Sequence, residues 1–153
     1  MVNEVKRLTG FDFRTFQMES EEKKRLLRGL KGLLEDVEGV VFAYVHGSFV
    51  ELDAFRDIDI ALWVKDPEEA FSYAVDLSVK LEAEVGVPVD VHVLNDAPLP
   101  FKRQVFTKGE LLLSVDEGFR LRMLDETLRR YFDLKLLNMD GVNPRWAIER
   151  GER

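Results

Sequence analysis

The sequence predicts an α/β (α+β) chain in which a short mixed β-sheet is flanked by helices. Three observations predict it. Residues 40–45 form a short apolar run that reads as a buried strand. Residues 57–64 alternate with period two, which puts Asp57 and Asp59 on one face and Ile58, Ile60, Leu62 and Val64 on the other. Stretches of helical periodicity, each with its own start and stop signals, are interleaved with these and with two further strand candidates.

In chain order, residues 1–19 carry Phe11, Phe13 and Phe16 without a clear period and receive no assignment. Ser20 followed by Glu21 and Glu22 starts a helix with acids in its positive first turn. Leu26, Leu30, Leu33, Leu34 and Val37 then keep helical spacing, predicting an amphipathic helix over 21–37 that Gly39 ends. The strand of residues 40–45 stops at Gly47-Ser48, a pair small enough to let backbone approach a ligand. A polar loop of eight residues leads from Ser48 to Asp57 and the second strand. Asp66-Pro67-Glu68-Glu69 combines an N-cap, a proline at the first helical position and an acid three residues on, predicting a helix from 67 to about 85, stopped near Gly86. Residues 87–94 are a third strand, with valines on one face and Asp90 and His92 on the other. Asn95 to Pro98 make a turn, residues 101–108 a short helix, and residues 111–113 a fourth strand after Gly109. Ser114-Val115-Asp116-Glu117 reads as a capping box opening a helix to about residue 137 along Leu121, Leu124, Leu128 and Tyr131. Trp63 and the phenylalanines are assigned to the core.

With 153 residues the chain suits a single domain, with a core over about 20–137 and a loosely ordered tail from Asn138. No apolar run reaches the roughly 18–20 residues of a membrane span, and the N-terminus is no signal peptide, so a cytoplasmic protein is expected. Lack of cysteine excludes disulfides, thiolate zinc sites and a cysteine nucleophile. A net charge of −7 argues against a general nucleic-acid binder, which needs a basic face for phosphates. It leaves open the binding of one nucleotide through metal.

Two carboxylates side by side on a strand repel each other unless a cation lies between them. If the second and third strands are neighbours, Asp57, Asp59 and Asp90 converge. Such a cluster suits Mg²⁺, which takes oxygen ligands and keeps room for substrate phosphates. Two such ions can stabilise both the attacking and the leaving oxygen of an in-line phosphoryl displacement. Gly47-Ser48 ends the first strand beside them, where backbone amides and a hydroxyl can hold terminal phosphates. Either feature alone is commonplace, and their conjunction with Asp90 carries the reading. A calcium loop built on Asp53, Asp57 and Asp59 fails because the required glycine and later glutamate are missing. His46 and His92 are read as structural, and Lys102, Arg103, Arg120, Arg122, Arg129 and Arg130 as solvated charge or a partner-facing edge.

Gly47-Ser48, then Asp57-x-Asp59, then Asp90 on a later strand resembles the nucleotidyltransferase superfamily of polymerase-beta type, over roughly residues 35–137. Small size, residues Ala97-Pro98-Leu99-Pro100 and Tyr131-Phe132-Asp133-Leu134-Lys135 are similar to its minimal nucleotidyltransferase (MNT) branch. The resemblance implies an antitoxin that transfers AMP from ATP, with two Mg²⁺ ions, to a tyrosine hydroxyl of a HEPN-domain toxin partner. Gly47 and Ser48 are then expected to hold the triphosphate, and Asp57 and Asp59 to ligate both metals. Asp90 is expected to complete the site and help deprotonate the acceptor. The rival reading is a catalytically weak binding module that neutralises the toxin by contact. It is motivated by the short loop carrying Glu51, Asp53 and Arg56 where the family often has a glycine and basic residues. A transferase for small molecules such as aminoglycosides ranks behind both, for want of a domain to enclose the substrate. A homo-oligomer is left open.

Overall fold

A computed structural model describes residues 3–7 and 14–139. The chain opens with two short antiparallel strands, β1 (Asn3–Arg7) and β2 (Arg14–Gln17), in the segment left unassigned above. Helix α1 (Ser20–Glu35) follows, with Glu21 and Glu22 in its first turn. It ends two residues earlier than expected, because the amides of Asp36 and Val37 turn tightly onto Leu33 and Leu34 at 3.3 and 3.1 Å. Strand β3 (Val40–His46) is buried along nearly its whole length. The loop after it is more structured than its polar sequence suggests. It contains a one-turn helix α2 (Ser48–Glu51) and a two-residue strand β4 (Ala54–Phe55), before β5 (Ile58–Val64).

Asp66 accepts from the amide of Glu68 at 3.3 Å, so the next helix starts as a 3-10 turn over Pro67–Glu69 before α3 (Ala70–Val85). Gly86 stops α3 in the left-handed conformation, at φ +72°, its amide returning to Glu82 at 2.9 Å. Strand β6 (Val89–Val93), helix α4 (Leu99–Lys108), strand β7 (Glu110–Ser114) and helix α5 (Glu117–Met139) complete the order. The cap of α5 is Asp116 and not Ser114: its carboxylate accepts from the amide of Phe119 at 3.0 Å. Of the tail expected to be loosely ordered, residues 140–153 lie outside the described ones.

Four strands form a mixed sheet in the order β6-β5-β3-β7, with β5 and β6 parallel and the other pairs antiparallel. A second small sheet, β1-β2-β4, is antiparallel throughout. Period-two alternation sorts the four-stranded sheet into two cores. Leu30, Leu34, Leu77 and Leu81 of α1 and α3 pack on the Val45, Ile58, Ile60, Leu62 and Val64 face. Full burial of one such side chain contributes roughly 1.5–3 kcal/mol. The opposite face, with Phe42, Tyr44 and Ala61, lies under Val105 and Phe106 of α4 and Phe119 of α5. Among the described residues, two aromatics depart from the core assignment, Phe71 at 82% exposed and Phe132 at 61%; Phe11 and Phe13 lie outside the described residues. Trp63 is half-buried, with the ammonium of Lys102 5.4 Å above its ring.

Candidate active site

The parallel pairing of β5 with β6 is what brings the acids together. Asp59 sits opposite Asp90 in that register, and the amide of Ile58, next to Asp57, is held by the carbonyl of Pro88 at 2.9 Å. Alternation sends Asp59, Asp90 and His92 to the face covered by α4, while their apolar neighbours enter the α1/α3 core. On the other side of β5, His46 of β3 pairs with Asp59. The next residue, Gly47, therefore comes down directly against the Asp59 carboxylate. A Cβ there would overlap Asp59 Oδ2, and the backbone stands at φ +78°. Both facts require glycine. Helix α2 begins at once: the carbonyl of Gly47 accepts from Val50 and Glu51, each at 3.1 Å. The sequence-predicted residues Gly47, Ser48, Asp57, Asp59 and Asp90 thus all lie at one end of the sheet.

Their electrostatics show mutual strain. Burial, then the charges of Asp57 and Asp90, push the Asp59 carboxyl up to about 6. Burial also raises Asp57, and Asp90 adds to this through its charge and a shared hydrogen bond, against smaller opposing effects of Arg56 and His92. A cluster that resists ionising is one that a cation stabilises. The residues fit a divalent ion: donor atoms of Asp59, Asp90 and His92 all lie within 4.8 Å of one another, and Asp57 stands against Asp90. His46 is different in kind. Burial, and next the charge of His92, lower it to about 4, and its Nε2 is buried without a hydrogen-bond partner among the described residues. It is neutral at physiological pH.

Sequence reasoning missed the support of the loop. Lys23, on α1, donates to the carbonyls of Phe49 and Leu52 at 2.7 and 2.8 Å, neutralising the C-terminal end of α2. Its ammonium also lies 5.0 and 5.5 Å over the Phe49 and Phe55 rings. Pairing of Phe55 with Phe16 in the small sheet fixes the far end of the same loop. The edge of basic residues on α5 is largely satisfied internally. Arg129 pairs with Asp125 at 3.0 Å, Arg130 with Glu126 at 2.6 Å, and Arg120 donates to Tyr44 Oη at 2.6 Å and to Glu117. Arg103 stacks on Tyr131 with 4.7 Å to the ring centre.

Residues 29–118, more than half of the chain, match the family model described as Polymerase beta, Nucleotidyltransferase. The chain belongs to the polymerase beta nucleotidyltransferase family. It shares its fold with MNT antitoxins. A structure of a tri-AMPylated Shewanella oneidensis HEPN toxin in complex with MNT antitoxin superposes with a TM-score of 0.62 at 23% identity, over 82% of this chain and 99% of that one. A MntA–HepT toxin–antitoxin structure gives 0.58 at 21% identity, covering 84% of this chain and all of that one. A toxin–antitoxin structure containing AMP-PNP gives 0.58 at 24%, again over 84% of this chain and 100% of that one. No curated protein sequence matches. Among the described residues, no helix is long and apolar enough to cross a membrane.

Proposed function

We propose that this nucleotidyltransferase transfers AMP from ATP to a tyrosine hydroxyl of a HEPN-type toxin partner, releasing pyrophosphate and acting as its antitoxin. The observation that carries the reading is the meeting of Asp57, Asp59 and Asp90 beside the Gly47-Ser48 turn. Structural neighbours that pair an MNT antitoxin with an AMPylated HEPN toxin, or contain AMP-PNP, support the choice of acceptor and nucleotide.

Asp57, Asp59 and Asp90 are the residues that would hold divalent metal, and two such ions would supply charge neutralisation for the triphosphate and for the attacking and leaving oxygens. The amides of Ser48 and Phe49, which open α2 ahead of the two amides turned back to Gly47, and the hydroxyl of Ser48 hold the terminal phosphates. Asp90, the more exposed acid, faces the acceptor and takes part in removing its proton as that oxygen bonds to the α-phosphorus and pyrophosphate departs. No covalent intermediate with the chain is required, so catalysis is positioning and electrostatics.

Incubation of the protein with α-labelled ATP, divalent metal and the HEPN-type partner tests the reading. Label on a partner tyrosine, lost with Asp57→Asn or Asp59→Asn, is the expected result. A stable complex that stays unlabelled would instead favour neutralisation by contact, and wild-type labelling by either variant would refute the assignment of these ligands.

A further inference from the structure

Among the described residues, the three donor atoms that lie within 4.8 Å of one another are not those of the three aspartates. They belong to Asp59, Asp90 and His92. Ligands around one ion at about 2.1 Å stand about 3 Å apart when adjacent and about 4.2 Å apart when opposite, so donors within 4.8 Å need only small torsional adjustments to close on a cation. His92 reaches the set because it follows Asp90 by two on β6 and shares its face. Its register partner on β5 is Ala61, which is too small to block it. The ring has its own supports. The centre of the His46 ring lies 6.1 Å away and that of Phe101 5.7 Å away in a T-shaped contact, with Phe101 and His46 themselves T-shaped at 5.5 Å. His92 is nonetheless exposed, so the ring nitrogen that belongs to the set is open to a ligand.

We propose that the imidazole of His92 is a ligand of the divalent cation held by Asp59 and Asp90, and that this nitrogen donor shifts the site's preference from Mg²⁺ toward first-row transition ions such as Mn²⁺ and Co²⁺. The inference rests on the reading of the cluster as a metal centre. An all-carboxylate site offers only hard oxygens and suits Mg²⁺. Imidazole adds affinity that grows from Mn²⁺ to Co²⁺ along the Irving–Williams order and gives little to Mg²⁺. His92 is then a specificity-determining ligand of this chain.

The test uses the full chain freed of metal by chelation. Affinities for Mg²⁺, Mn²⁺ and Co²⁺ are measured by calorimetry for wild type, His92→Ala and His92→Gln. Electron spin echo modulation of the Mn²⁺-loaded proteins reads out coupled nitrogen. Both variants should lose about ten-fold or more in Co²⁺ affinity while Mg²⁺ affinity moves by less than about two-fold. The nitrogen coupling of the wild type should vanish in both variants, which retain His46. An unchanged Co²⁺-to-Mg²⁺ ratio in a folded variant, or no nitrogen coupling in the wild type, overturns the proposal. Binding that depends on Asp59 and not on His92 overturns it alone. A wild type that binds none of the three ions overturns the metal centre as well.

Discussion

Replacing Asp59 with asparagine should separate what this carboxylate does for chemistry from what it costs the fold. The Asp59 carboxyl is raised from an ordinary 3.8 to about 6 by burial and by the charges of Asp57 and Asp90. A shift of that size corresponds to about 3 kcal/mol at 1.36 kcal/mol per unit. Asp59 is only half-buried, so solvent screening leaves on the order of 1–1.5 kcal/mol. The folded state holds this proton to higher pH than the unfolded state does. The linked stability is therefore complete below about pH 4 and is lost as pH rises through about 6. Asp59→Asn cannot ionise, so in chelator at pH 8 it should be more stable than wild type by about 1 kcal/mol, or about 2–4 °C in melting temperature. At pH 4 the two should melt together. Added divalent metal should reverse the order, because only the wild type gains from binding. The assay is thermal unfolding followed by circular dichroism from pH 4 to 8, with chelator or with Mn²⁺. A variant less stable than wild type in chelator at pH 8 would refute the argument that these carboxylates strain the metal-free fold.

Other predictions follow from particular contacts. Gly47→Ala puts a Cβ into the Asp59 carboxylate at φ +78° and should cost about 1–3 kcal/mol in urea unfolding and abolish label transfer; a wild-type phenotype would contradict the contact. Lys23→Met removes two hydrogen bonds from the α2 carbonyls and should cost about 1 kcal/mol, with faster amide exchange over residues 48–55. In denaturant melts, Leu81→Ala, fully buried between α3 and the sheet, should lose about 2–5 kcal/mol, whereas Phe71→Ser should stay within about 0.5 kcal/mol.

What could be read from sequence was what short-range pattern determines. The β3 and β5 strands and the α3 stop at Gly86 follow from periodicity or one special residue, although β5 starts at Ile58, one residue after Asp57. Convergence with Asp90 needed one further fact, the parallel pairing of β5 and β6, which the sequence offers only as a condition. Strands β1, β2 and β4 were not legible because they are short and exist through pairing across the chain, Phe16 with Phe55 for example. Lys23 gave no signal on its helix, since its partners are 26 and 29 residues away. His92 was read as structural because a lone strand histidine usually is. Only the fold puts it within ligand distance of Asp59.

The central claim is that Asp57, Asp59 and Asp90 hold metal beside a triphosphate cradled by Gly47 and Ser48. Crystals grown with Mn²⁺ and a non-hydrolysable ATP analogue test it most directly, through anomalous difference maps at the manganese edge. Manganese should be bonded to oxygens of Asp57, Asp59 and Asp90, with the triphosphate over the start of α2. Manganese bound elsewhere, or a nucleotide seated away from Gly47-Ser48, would contradict it.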